Sequence, residues 1–112
     1  MFDLRPDLTA GERQAFATGF TRALESVPGV GRVSIGRRTS IGASYEQPGA
    51  GFDYVAVLEF DDEAGLRRYL EHPAHAELGA LFWACTARTL VTDFTLAGND
   101  LPLALAKWSS VV

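Results

Sequence analysis

Apolar positions change their period along this chain, and the changes mark its elements. "FDYVAVLEF", Phe52–Phe60, is a β-branched and aromatic run that predicts the best strand in the chain. Tyr54, Ala56, Leu58 and Phe60 point one way along it, Val55 and Val57 the other, so both of its faces are apolar. Upstream, Phe16, Phe20, Ala23, Leu24 and Val27 recur at helical spacing, with Arg13, Arg22 and Glu25 off that stripe. "TAGE", Thr9–Glu12, is a capping box that opens this helix, and Pro28-Gly29 stops it. "MFDL" predicts a very short first strand, and Val33 and Ile35 mark another within Val30–Ser40. The glycines and proline of Ile41–Gly51 predict a loop.

Beyond the central strand, Asp61-Asp62 supplies an N-cap and first-turn negative charge to a helix reaching about Glu71, with Leu66, Tyr69 and Leu70 on its apolar stripe. Pro73 suits the first position of a second helical segment, expected to run to roughly Phe82, and it holds His72 in an extended conformation before it. "ARTLVTDFTL", Ala87–Leu96, predicts the last strand. The order β-α-β-β-α(α)-β is that of a ferredoxin-like α+β plait over residues 1–97, with 98–112 as a C-terminal tail extension. Helices cover one face of such a sheet. The second apolar face of Phe52–Phe60 therefore predicts a homodimer packed sheet to sheet.

Composition narrows the partners. A chain of 112 residues fits one domain with a modest core, which a second subunit would help to close. The net charge of −4 comes without a basic stripe, so no nucleic-acid partner is expected. The apolar runs are too short to span a bilayer, and no secretory leader is apparent, so no membrane partner is expected either. The single cysteine, Cys85, excludes an internal disulfide and fits a reducing cytoplasm.

Candidate chemistry gathers in "YLEHPAHAELG", Tyr69–Gly79, which holds both histidines. His75 falls in the first turn of its helix, where the helix dipole disfavours the imidazolium and a neutral ring can serve as general base. The bland alternative is a buried histidine satisfied by one hydrogen bond. His72 reads as a capping residue at the edge of the same pocket. A His-x-x-His pair lacks the third ligand of a catalytic zinc site, so no metal is expected. Tyr69 is either a core tyrosine or a donor to a substrate carbonyl. Asp93, inside the predicted last strand, is either an edge aspartate or the carboxylate that orients His75. A pocket between helices and sheet would be lined by Phe16, Phe20, Tyr54, Ala56, Leu58, His72 and Leu81.

"ESVPGVGRVSIGR", "FDYVAVLEFDDEAGLRRYLEHPAHAELG" and "LVTDFTL" together resemble the stress-responsive dimeric A/B barrel family, Dabb, over roughly Phe2–Leu96. The resemblance implies a plait dimerised through its sheets into an α+β barrel. The Tyr-x-x-His-Pro-x-His segment is similar to that of the plant polyketide cyclases of the olivetolic acid cyclase type. It implies aldol chemistry without metal or organic cofactor, with His75 as base, Tyr69 positioning the substrate and Asp93 near the histidine. Two positions depart from that type. Tyr54 stands where those cyclases carry a pocket histidine, and Phe20 where they carry a tyrosine, so the implied pocket is more apolar. The first strand is also shorter than the family's and lacks its usual histidine. Two function classes stand: a cofactor-independent enzyme acting on a small apolar carbonyl compound, and a non-catalytic stress-responsive dimer that binds a small ligand. A cofactor-free oxygenase on the same plait has no residue arguing for it.

Overall fold

The computed structural model describes residues 1–106. Its elements run β1 (Phe2–Leu4), α1 (Ala10–Glu25), β2 (Val33–Arg37), β3 (Tyr54–Leu58), α2 (Glu63–Glu71), α3 (Pro73–Cys85), β4 (Thr86–Thr89) and α4 (Leu101–Ala104). The four strands form one antiparallel sheet in the order β2-β3-β1-β4. This is the ferredoxin-like plait, with its helices on one face of the sheet.

Local chemistry sets the helix boundaries. The Thr9 hydroxyl accepts from the Glu12 N–H, and the Glu12 carboxylate accepts from the Thr9 N–H, so the capping box forms in full. Gly29, at φ +88°, turns the chain after α1 as only glycine does without strain. Asp62 caps α2 by accepting from the Gly65 N–H at 2.8 Å. α3 outruns its expected end at Phe82. It stops at Cys85, where the Thr86 hydroxyl donates to the Phe82 carbonyl at 2.6 Å.

Four phenylalanines from three elements fill the interior. Phe2 of β1 lies 5.1 Å from Phe82 of α3 and 5.9 Å from Phe16 of α1, ring centre to ring centre. Phe82 also meets Phe16 and Phe20 at 5.2 and 5.4 Å. Most of these contacts are tilted or edge-to-face, the arrangement that ring quadrupoles favour. α1 and α3 pack closely: a Cβ on Gly19 would lie 3.0 Å from the Leu81 side chain.

The sheet's two faces differ as the alternation of β3 requires. Tyr54, Ala56 and Leu58 pack against the core, whereas Val55 and Val57 stay exposed on the open face. The last strand is the main correction. Expected over Ala87–Leu96, it pairs only over Thr86–Thr89. β4 ladders on β1, which is three residues long, and the pairing ends where Met1 and Leu90 exchange backbone hydrogen bonds. Beyond Leu90 no strand among the described residues lies beside the chain, so Val91, Phe94 and Leu96 extend into solvent, each more than 70% exposed. In the tail, Asp100 caps the single-turn α4, and Leu101, Leu103 and Leu105 are exposed. The sequence offers Leu101, Leu103, Leu105 and Trp108 as a cover for a dimer groove or a lid on the pocket; Trp108 lies outside the described residues.

Phe2→Ala should cost about 3–5 kcal/mol, the usual range for a buried Phe→Ala change, because it opens a void where both helices meet the sheet. Urea unfolding monitored by circular dichroism reads this directly. A loss below about 1 kcal/mol would mean that the aromatic cluster does not carry the core.

Candidate functional site

α2 and α3 meet at a sharp corner built by one dipeptide. His72 is extended (φ −73°, ψ 140°), as a residue before proline must be, and it ends α2 while capping α3. Its Nδ1 accepts from the Ala74 N–H at 3.0 Å, so this nitrogen is unprotonated while the cap holds. The His72 carbonyl accepts from the His75 N–H at 2.9 Å. His72 is therefore occupied as a cap.

The corner folds His75 back onto Tyr69. The imidazole meets the phenol ring edge-on, 4.9 Å between centres and 74° between planes. Tyr69 is buried and lies 5.4 Å from Phe60 at the end of β3. Burial, and secondarily the negative charge of Asp93, push the Tyr69 hydroxyl above its ordinary pKa, so it stays a protonated donor. His75 is half-buried, and among the described residues neither of its ring nitrogens has a hydrogen-bond partner. Asp93 sits in the extended run beyond β4, exposed, and no hydrogen bond joins it to His75. Tyr69 and His75 thus come together, while Asp93 reaches the pair only through its charge on Tyr69.

The expected lining residues are packed rather than open. Phe16 and Phe20 belong to the aromatic cluster, and Tyr54 stacks on Phe2 at 5.5 Å. Leu81 lies against α1, and Ala56 and Leu58 lie under the core. Two surface depressions lie elsewhere. One runs along α1 between Gln14 and Glu25; the other lies between α1 and α3 beside Arg5, Phe16 and Cys85. Neither reaches Tyr69 or His75. Among the described residues, no three His, Cys, Asp or Glu side chains converge as a metal site would require. None of the described helices is long and apolar enough to cross a membrane.

One cluster escaped the reading of the sequence. Asp3 on β1 and Arg88 on β4 stand opposite each other in the ladder, on the open face. The Asp3 carboxylate accepts from Arg88 Nε at 2.8 Å and from the Asp53 N–H at 2.7 Å. The Asp53 N–H, followed by Arg88, holds the Asp3 carboxyl below its ordinary pKa. Arg88 also donates to the Gly51 carbonyl and lies 4.4 Å over the Phe52 ring. The two charges are 85 positions apart in the chain, so only the strand register brings them together.

Residues 1–96 match the family model of the stress responsive A/B barrel domain, Dabb. Among solved structures the fold is similar to an Arabidopsis thaliana protein (TM-score 0.71, 17% identity, covering 89% of this chain and 93% of that one). It is also similar to a dimeric ferredoxin-like protein of unknown function from Thermobifida fusca (TM-score 0.65, 21% identity, coverage 86% and 85%). A third similar structure, from Bacteroides fragilis, is described in the same terms (TM-score 0.52, 22% identity, coverage 78% and 82%). These identities establish likeness of fold alone. No curated protein matches the chain.

The phenol that Tyr69→Phe removes should ionise above the ordinary tyrosine range in an ultraviolet titration, and Asp93→Asn should lower it only in part, because burial is the larger cause. The linkage sign follows from a folded-state pKa above the unfolded one. The contribution to stability is fully present below about pH 10, the unfolded phenol's pKa, and is lost as pH rises through the folded value. A Tyr69 phenol that ionises at or below its unfolded value would contradict this placement. His72→Ala should cost about 1 kcal/mol by removing the α3 cap, with His72→Asn restoring most of it, as read by thermal unfolding. Equal stabilities in all three proteins would show that the cap carries no weight.

Proposed function

The chain belongs to the Dabb family of stress responsive A/B barrel domains, and on that premise we propose a homodimer, closed through the open faces of its sheets, that performs cofactor-independent acid–base chemistry on a small apolar carbonyl compound. The observation that carries the chemistry is the pairing of Tyr69 and His75: a phenol held protonated, in contact with an imidazole whose nitrogens have no partner among the described residues. A neutral imidazole can take the proton alpha to a carbonyl, and the Tyr69 O–H can donate to the oxygen as it becomes an enolate. The enolate carbon then attacks a second carbonyl of the same chain and closes a ring. The proton held by His75 passes to the alkoxide so formed. Asp93 is negative and close enough to act on Tyr69, so it is the nearest carboxylate to the pair that the structure identifies. The likeness of Tyr69-x-x-His72-Pro73-x-His75 to the olivetolic acid cyclase segment supports a polyketide-like substrate. The exposed Val55 and Val57, and the dimeric Thermobifida and Bacteroides proteins of the same fold, support the homodimer. The single free thiol, Cys85, fits a cytoplasmic setting.

One observation favours a second reading. The aromatic cluster fills the space between helices and sheet, where Phe16, Phe20, Tyr54 and Leu81 would line a substrate pocket. A dimer that binds a small ligand at the Tyr69–His75 rim without turning it over fits that filled interior.

The experiment is proton exchange in heavy water. Small 1,3-diketones and linear poly-β-ketones are incubated with the protein, and deuterium gained alpha to the carbonyl is followed by NMR. The wild type should catalyse exchange, His75→Ala should lose roughly 10²–10⁴ in rate, and Tyr69→Phe about 10². Exchange that survives His75→Ala unchanged would remove His75 as the base. Saturable binding without exchange would establish the second reading.

A further inference from the structure

The open face of the sheet carries exposed apolar side chains and two ion pairs: Asp3 with Arg88, and, by the alternation of β3, Glu59 with Arg32 at 3.9 Å, the latter exposed at the far end of β3. Val55 and Val57 of β3 lie on this face, as do Met1 and Leu90, which continue the ladder beside them; all four are 36–46% exposed. Asp3 and Arg88 stand opposite each other on β1 and β4. β1 is an inner strand and β4 an edge strand, so Asp3 lies inside the face and Arg88 reaches over it from the β4 edge. The bonds of this pair are already internal. Asp3 is satisfied by Arg88 and the Asp53 N–H, and Arg88 by Asp3, the Gly51 carbonyl and the Phe52 ring. The Asp3 side chain is only 17% exposed in the single chain, while that of Arg88 is 53% exposed.

We infer that Asp3 and Arg88 form the polar determinant of the interface between two copies of this chain, fixing how their open faces register. This rests on the homodimer reading above and adds the residues that decide its geometry. A face whose charges cancel within itself can be covered by a copy of itself without stranding a charge, and a two-fold interface demands such self-complementarity. Covering the face strips water from the Arg88 guanidinium, which then depends on Asp3, Gly51 and Phe52. Breaking one partner of a desolvated pair leaves an uncompensated charge, whereas replacing both with neutral groups is close to neutral or better. A loss in each single variant that the double variant recovers therefore separates an interfacial pair from a solvated one, which is worth little either way.

The test measures the dimer dissociation constant by dilution calorimetry for the wild type, Asp3→Asn, Arg88→Met and the double variant, with circular dichroism melts of each. Each single variant should weaken the dimer at least tenfold, and the double variant should recover to within about threefold of the wild type. Single variants that dimerise as tightly as the wild type would overturn the inference and leave the dimer standing. A wild type that shows no dissociation heat and sediments as a single chain would overturn both. Because both side chains also hold the Gly51–Asp53 strand entry, Phe52→Leu is measured alongside. Weakening by Phe52→Leu equal to that of the charge variants, with matching losses in melting temperature, would assign the effect to local folding and reject the interfacial role.

Discussion

Phe2 is the constraint on which the rest of this small domain depends. It is the one side chain of the three-residue β1 that reaches deep into the core, and it touches α1, α3 and β3 at once. With so short a strand, backbone pairing alone could not hold β1 between β3 and β4. Ring packing with Phe16, Phe82 and Tyr54 does so, and β4 is laddered on β1 in turn. The order of the sheet therefore follows from an aromatic contact as much as from hydrogen bonds.

The same packing decides where chemistry can sit. Rings occupy the volume between helices and sheet, and the pair proposed for chemistry lies beside them, where the His72-Pro73 corner turns His75 back onto Tyr69. The shape of the corner has a simple cause. His72 is extended because proline follows it, and its side chain and carbonyl both cap the next helix. A phenol kept protonated by burial and an imidazole without a partner among the described residues are complementary tools for enolate chemistry. Their presence at a rim rather than inside a cavity limits how much substrate the single chain can enclose.

Features set by neighbours in the chain were legible in the sequence. The Thr9–Glu12 box, the Asp62 cap and the Pro73 helix start each depend on residues within four positions, and each forms as read. The two-faced alternation of β3 was equally plain, because its period is local. What could not be read depends on distant partners. The end of β4 is set by the length of β1, more than eighty positions away, so the apolar alternation through Leu96 outruns the strand that could pair with it. Asp3 and Arg88 are joined only by that register. The contact of His75 with Tyr69 was half legible: the spacing put both near one corner, but the direction of the ring depended on the turn that His72 makes. The position of Asp93 outside the ladder follows from the early end of β4.

A sheet with one covered face and one apolar open face is unfinished as a single chain. The exposed Val55 and Val57 and the internally cancelled charges of that face point to a second copy as its cover. Sedimentation velocity of the wild-type protein at micromolar concentration tests this most directly. The account predicts one species of twice the 12.1 kDa chain mass. A single species at 12.1 kDa across that range would contradict it, and would leave the open face without the partner on which this account depends.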